Sequence, residues 1–312
     1  MRVIITGGTG FIGSHLAESL INKKNNLLLI SKSDAKKGNI SNIQNKIIHE
    51  KVDITNFKKI GKIVDNFKPD IIIHLAGQTS HSKSFEEPLN DVDSNAKSTL
   101  FLLEKIRHTN PKCKFVLGST FIVIGRPKKL PVDENTPCNP TTIYGANRLA
   151  SENYCKIYHE VYGLDTKIFR ITNSYGPREQ TIPNKNAVNF LIYKAHKNEE
   201  ITVFHKGKFF RDLIFVSDVV SGIRTLIEKG KPGNLYWISS GQKTWFNKLG
   251  SLLHELTNSP VKYVETPTYT KKVDVGNFVV DNSKLRSLGW RPKISLKKGI
   301  QITLDYLEKT AS

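Results

Sequence analysis

The stretch Val3-Ile4-Ile5-Thr6-Gly7-Gly8-Thr9-Gly10-Phe11-Ile12-Gly13 constrains this chain more than any other. Val3 to Ile5 is a short β-branched run, which suits an inner strand of a parallel sheet. Gly7, Gly10 and Gly13 then fall three apart, and Ser14 to Ile21 continues as a helix. Glycine there permits a tight turn, a close approach of backbone to a pyrophosphate, and close packing of helix on sheet. The helix start adds unpaired N–H groups and the positive end of its dipole. A glycine triplet alone is weak evidence. Placed between a strand and a helix it predicts a dinucleotide-binding unit.

Downstream, strands and helices alternate. Strands are expected at Leu27 to Ser31, Ile47 to Val52, Ile71 to Leu75, Lys114 to Gly118 and Thr166 to Ile171. Helices are expected at Phe57 to Phe67, Asp93 to Arg107 (starting near Asn95) and Tyr144 to about Tyr162. This alternation predicts an α/β fold, a doubly wound parallel Rossmann sheet. After Asn173 the pattern loosens. A helix is expected at Ala187 to Asn198, a strand at Ile201 to Phe204 and extended chain from Arg211 to Val216. Val219 to Glu228 reads as a helix, Leu235 to Ser239 as a strand, and the remainder as short elements ending in a helix, Leu296 to Leu307. Residues 1–172 form the NAD(P)-binding domain, with about 212–240 returning to it and Leu235 to Ser239 rejoining the sheet. Residues 173–312 form mainly a smaller C-terminal α/β lobe for the substrate, with a cleft between.

Bulk properties narrow the class. The 312 residues suffice for one large or two ordinary domains. No apolar run approaches the ~20 residues of a membrane span. The first apolar segment runs into glycines, so no secretory leader is expected. Cys113, Cys138 and Cys155 are sparse, odd in number and without metal spacing, so no metal site is expected. They suit a reducing compartment, and a cytoplasmic location is expected. The net charge of +19 is compatible with nucleic acid, an anionic membrane surface or anionic small molecules. The lysines are spread in short pairs, and no basic helix or nucleic-acid motif accompanies them. A solvated lysine-rich surface that also attracts a nucleotide diphosphate is the expectation, with no nucleic-acid partner and no membrane insertion.

Candidate site residues follow the strand ends. The second strand of a dinucleotide fold usually ends in an acidic residue for the adenosine ribose. Here Ser31-Lys32-Ser33 stands there. The missing carboxylate leans mildly to NADP over NAD, and Lys32 is placed to pair with a 2′-phosphate. Asp53 and Ile54, after the third strand, are placed to reach the adenine. The fourth strand runs into Leu75-Ala76-Gly77-Gln78, small residues past which a cofactor fits. Tyr144 and Arg148 open a helix at i and i+4, on one face. A tyrosine has a reference pKa of about 10, and a fixed cation beside it favours the phenolate. Tyr144 is thus a candidate general acid/base, with Thr120 near the end of the fifth strand beside it.

With these residues in hand, the chain resembles the extended short-chain dehydrogenase/reductase family, in particular its nucleotide-sugar epimerase/dehydratase group, of the UDP-glucose 4-epimerase kind. The likeness runs from about Met1 to Leu307. It is carried by Thr6 to Gly13, Asp53, His74 to Gln78, Asn95, Ser119-Thr120, Tyr144, Asn173-Ser174-Tyr175-Gly176-Pro177-Arg178, Arg211-Asp212 and Leu288-Gly289-Trp290-Arg291-Pro292. The resemblance implies a cofactor held by Gly7, Gly10, Phe11, Ile12, Gly13, Ser31, Lys32, Asp53, Ile54, Leu75, Ala76, Gly77, Asn95, Tyr144 and Arg148. It implies a nucleotide diphosphate sugar held by Gln78, Ser84, Thr120, Asn173, Arg178, Arg211 and Lys271, with Arg211 on the diphosphate. Catalysis would fall to Thr120, Tyr144 and Arg148. Tyr144 takes the C4 hydroxyl proton, hydride passes to the nicotinamide, the 4-keto sugar rotates, and hydride returns to its other face. Relatives often dimerise through two helices each, which implies a homodimer.

The sequence also departs from the family. Arg148 stands where the family has lysine, and arginine is bulkier and planar. Phe121-Ile122 stand where 4,6-dehydratases carry Asp-Glu, so dehydration is not expected. Ile124 replaces a frequent tyrosine in the pocket wall. Three functions remain open: C4 epimerisation of UDP-glucose/galactose or their N-acetyl forms, NADPH-dependent reduction of a nucleotide keto-sugar, and a catalytically impaired cofactor-binding protein.

Overall fold

The computed structural model describes residues 1–21, 25–34, 38–181, 186–265 and 274–311. Its centre is a sheet of seven parallel strands. Six are β1 (Arg2–Thr6), β2 (Asn26–Ser31), β3 (Ile48–Lys51), β4 (Ile71–His74), β5 (Lys114–Thr120) and β6 (Thr166–Ile171). The seventh, Leu235–Ile238, pairs with β6. Across the sheet the order is β3, β2, β1, β4, β5, β6 and then Leu235–Ile238. The reversal between β1 and β4 opens a crevice at the carboxyl ends of the strands, where ligands bind in folds of this kind.

The unbroken apolar strands follow from burial on both faces. Val3 and Ile5 enter one core with α1 (Phe11–Leu20) and the helix Val216–Lys229. Ile4 enters the opposite core with α2 (Phe57–Phe67), and later with α5 (Ser98–Thr109) and α6 (Ile143–Tyr162). Asn56 caps α2, accepting the Lys59 N–H at 3.2 Å. Thr142 caps α6, accepting the Gly145 N–H at 3.0 Å. These caps satisfy N–H groups that a helix leaves unpaired. The Thr142 cap also sets Tyr144 on the first turn of α6.

Two regions differ from the sequence expectation. Helical chain before α5 begins well ahead of Asn95: α3 (His81–Glu86) is followed by α4 (Pro88–Asp91). The chain then widens into a π-helical turn at Val92–Lys97. Asn95 sits inside that turn, and its carbonyl receives the Thr99 and Ser151 hydroxyls at 2.9 and 3.0 Å. Such turns favour functional sites because they rotate one side chain out of register. Second, the C-terminal region holds a full helix, Phe246–Thr257, where short elements were expected. It packs with Ala187–His196 and Leu296–Ala311 around Val188, Ile192, Leu249 and Ile300, forming the core of the smaller lobe. Among the described residues no helix is long and apolar enough to cross a membrane.

Candidate functional site

The glycine loop is held by backbone contacts that admit no side chain. A Cβ on Gly13 would lie 2.2 Å from the Gly7 carbonyl oxygen. Gly7 has φ +70°, and a Cβ there would meet the Ala76 backbone nitrogen at 2.9 Å. α1 starts at Gly10 with no side-chain cap, so its first N–H groups face the cleft unclaimed by a side chain. Thr6 ties the loop to β4. Its oxygen receives the Leu75 and Ala76 N–H groups at 3.2 and 3.1 Å. Its proton therefore goes to His74 Nδ1, 2.7 Å away. His74 Nε2 then donates to the Ser98 hydroxyl at 3.3 Å, whose own proton goes to the Ser94 carbonyl. Burial, with Arg148 nearby, lowers the His74 pKa to about 3. The imidazole is neutral and structural.

A cleft of 510 Å3 opens above these strand ends. Gly7, Gly10, Phe11, Ile12 and Gly13 line one wall, and Leu75, Ala76, Gly77 and Gln78 another. At one end lie Ser31, Lys32, Asp53 and Ile54. There the Ser31 hydroxyl donates to the Ser33 carbonyl and contacts His49 Nε2 at 2.9 Å, while Asp53 accepts the Thr55 N–H and hydroxyl. Thus β2 ends in a hydroxyl and an exposed lysine, with no carboxylate on Ser31, Lys32 or Ser33.

At the other end are Asn95, Thr120, Tyr144, Arg148 and Asn173. Tyr144 is buried, with Thr120 beside it at the cleft. Thr120 in turn accepts the Ile122 N–H at 3.3 Å. The expected lowering of the Tyr144 pKa is not what this arrangement produces. Burial raises it, and that outweighs the opposite pull of Arg148 and of Thr120. Arg148 is buried too. One terminal nitrogen donates to Asn95 Oδ1 at 3.4 Å, while its Nε has no partner. The Asn173 side-chain oxygen is likewise unpartnered and buried. Orphaned polar atoms this deep are uncommon, and both of these residues line the cleft. Two bare glycines against backbone, an uncapped helix start and an unpaired guanidinium nitrogen together fit a dinucleotide.

Three expected substrate residues stand elsewhere. Ser84 is fully buried on the inner side of α3, and its hydroxyl donates to the His81 carbonyl at 2.7 Å. Arg178 turns away to Glu18 at 2.7 Å, a carboxylate also bound by Asn42. Arg211 is buried and held by the Asp274 carboxylate and the Gly276 carbonyl. None of the three lines the cleft. Lys271 lies outside the described residues. Conversely, His81, Thr79 and Asn90 line the cleft without any spacing in the sequence that singles them out. Buried Asp91 beneath them accepts Asn147 Nδ2 at 2.7 Å and Gln78 Nε2 at 3.2 Å. The polar run from Gln78 to Ser82 was the one available signal.

Comparison with known proteins finds relatives along nearly the whole chain. The family model for GDP-mannose 4,6 dehydratase matches residues 4–303. A dTDP-D-glucose 4,6-dehydratase of Homo sapiens is 30% identical over 316 residues, covering 98% of this chain and 89% of that protein. A UDP-glucose 4-epimerase of Mycolicibacterium smegmatis is 29% identical over 313 residues, covering 98% of each. The structure of UDP-glucose 4-epimerase from Thermotoga maritima, with UDP-glucose, superimposes with a TM-score of 0.92 at 30% identity and covers all of both chains. Other solved epimerases of this kind contain NAD.

Proposed function

Because the chain belongs to the GDP-mannose 4,6 dehydratase family, a group of NAD-dependent nucleotide-sugar epimerases and dehydratases, we propose that it epimerises a nucleoside diphosphate sugar at C4. UDP-glucose and UDP-N-acetylglucosamine are the first sugars to test. The observation that carries this reading is the pair Thr120 and Tyr144, side by side at the cleft and accompanied by apolar Phe121 and Ile122, which also line it. Dehydration needs groups beside the sugar that give and take a proton. Neither a phenyl ring nor an isoleucine does so.

Gly7, Gly10, Gly13 and the start of α1 would hold the cofactor's pyrophosphate, Asp53 and Ile54 its adenine, and Asn95 and Arg148 its nicotinamide ribose. The chemistry such a cofactor would supply there is reversible hydride acceptance. Tyr144 Oη takes the proton of the C4 hydroxyl and later gives it back. The Thr120 hydroxyl supports the same sugar oxygen as negative charge gathers on it. Arg148 and Thr120 favour the phenolate while burial opposes it, so Tyr144 rests protonated and must release that proton to solvent before it acts as base. Asn173, with its oxygen unpartnered, is placed to bind a sugar or phosphate-side hydroxyl. At the adenosine end, Ser31 and Lys32 support acceptance of NADP as well as NAD. That feature also favours the second reading, a reductase of keto-sugars.

The test is to incubate purified protein with each UDP sugar and each cofactor and to follow the anomeric protons by NMR. The C4 epimer appears with no net cofactor change. Tyr144→Phe lowers turnover about 10²- to 10⁴-fold while sugar binding persists. A 4-keto-6-deoxy product would replace this reading with dehydration, and steady NADPH loss with reduction. The functional unit is proposed to be a homodimer. α6 exposes Ile157 and Val161, and the neighbouring helical stretch exposes Leu89 and Val92, apolar side chains that a second copy would cover.

A further inference from the structure

His81 faces the catalytic end of the cleft, and the reaction described above makes no use of it. Its position is closely determined. Ser80 caps α3, and Gln78 braces that cap by donating to the Ser80 carbonyl at 2.7 Å and accepting the Ser80 N–H. Gln78 also reaches the buried Asp91 carboxylate, which Asn147 binds from α6, one turn beyond Tyr144. This chain of amides pins the start of α3 against α6. The His81 imidazole consequently stands 5.5 Å from the Tyr144 ring, centroid to centroid, with the planes at 50°. Both rings open onto the same space. The His81 carbonyl holds the Ser84 hydroxyl, but its ring nitrogens have no hydrogen-bond partner among the described residues.

A partly buried imidazole with two idle nitrogens is costly unless a polar group arrives to meet them. We propose that His81 is a specificity-determining residue that hydrogen-bonds a sugar hydroxyl next to the carbon that Tyr144 deprotonates, either at C3 or on the C5 hydroxymethyl. This rests on the nucleotide-sugar reading of the cleft. Adjacent rings present their polar atoms side by side, as adjacent ring carbons present theirs. The chemistry favours a hydroxyl over a carboxylate. Burial keeps the imidazole neutral, so it offers one donor and one acceptor, and a hydroxyl can use either. Asp91, bound here by neutral amides, sets a negative charge behind His81 that would repel an anionic sugar.

The experiment is calorimetric binding to NAD-loaded protein of UDP, UDP-glucose, and its 3-deoxy and 6-deoxy forms. Wild type, His81→Phe and His81→Gln are compared. Phenylalanine keeps the ring packed on Tyr144 and removes both nitrogens, while glutamine restores an amide donor and acceptor. Wild type is expected to bind one deoxy sugar about tenfold more weakly than UDP-glucose, the size of one neutral hydrogen bond. His81→Phe should erase that difference, and His81→Gln should recover part of it. Equal discrimination in wild type and His81→Phe overturns the proposal, as does equal binding of all three sugars by wild type. If UDP-glucose binds wild type no more tightly than UDP does, the nucleotide-sugar reading fails, and the proposal with it.

Discussion

Acid should weaken the fold through His74 by an amount the structure sets. In the unfolded chain this imidazole titrates near 6.5, while in the folded protein burial and Arg148 hold it to about 3. Between these values the unfolded chain binds a proton that the native state refuses, so stability is lost as pH falls through 6.5 toward 3. At pH 4.5 the loss is two pH units times 1.36 kcal/mol, about 2.7 kcal/mol relative to neutral pH. A folded value as high as 4 barely alters that figure, because the native imidazole is still neutral at pH 4.5. Other groups titrate in the same range. Asp212 is the main opponent: burial lifts its carboxyl to about 6, against hydrogen bonds from Ser240, Gly241 and Val280, so acid favours the fold there. His74→Gln removes the confusion. Its amide oxygen can accept the Thr6 hydroxyl and its nitrogen can face Ser98, yet it does not titrate. Urea unfolding of both proteins at pH 7.5 and 4.5 isolates the term. The stability difference, wild type minus variant, should fall by about 2 to 3 kcal/mol between the two pH values. A difference that stays constant would refute both the neutral tautomer and the reading of His74 as a buried strand lock.

The fully buried pair Glu152 and Arg170, with 2.7 Å between Glu152 Oε2 and an Arg170 terminal nitrogen, makes a second prediction. Arg170→Met leaves a buried carboxylate held only by the Ser119 hydroxyl and should cost about 3–5 kcal/mol in urea unfolding, most of it regained in the double variant Glu152→Met, Arg170→Met. Val161→Lys should turn the proposed dimer into monomers in sedimentation velocity. Val161 is 65% exposed, and a two-fold interface counts each side chain twice, so the loss is about 3–6 kcal/mol per dimer.

The parallel sheet and the glycine loop were legible because their signals are local. β-branched runs three to five residues long, glycines three apart and helices at 3.6-residue spacing report directly on chain geometry. The cleft walls from Gly7 to Gly13 and from Leu75 to Gln78 follow from that geometry. Arg211 and Arg178 were harder. A basic residue in a suggestive motif looks alike whether it waits for a diphosphate or is already held by Asp274 or Glu18. Ser84 was lost to the short helix α3, whose turn carries its hydroxyl inward.

The amino-acid order by itself therefore determined the layering of the fold, the dinucleotide cradle and the pairing of Tyr144 with Arg148 on one helix face, since each depends on residues within one turn or one strand. Tertiary structure alone decided the protonation of Tyr144, the neutrality of His74 and the aim of His81. Those depend on how far water is excluded and on which groups from distant segments meet: Thr120 with Tyr144, Thr6 with His74, Asp91 with Gln78 and Asn147. Desolvation is a property of the assembled surroundings, and no spacing along the chain encodes it.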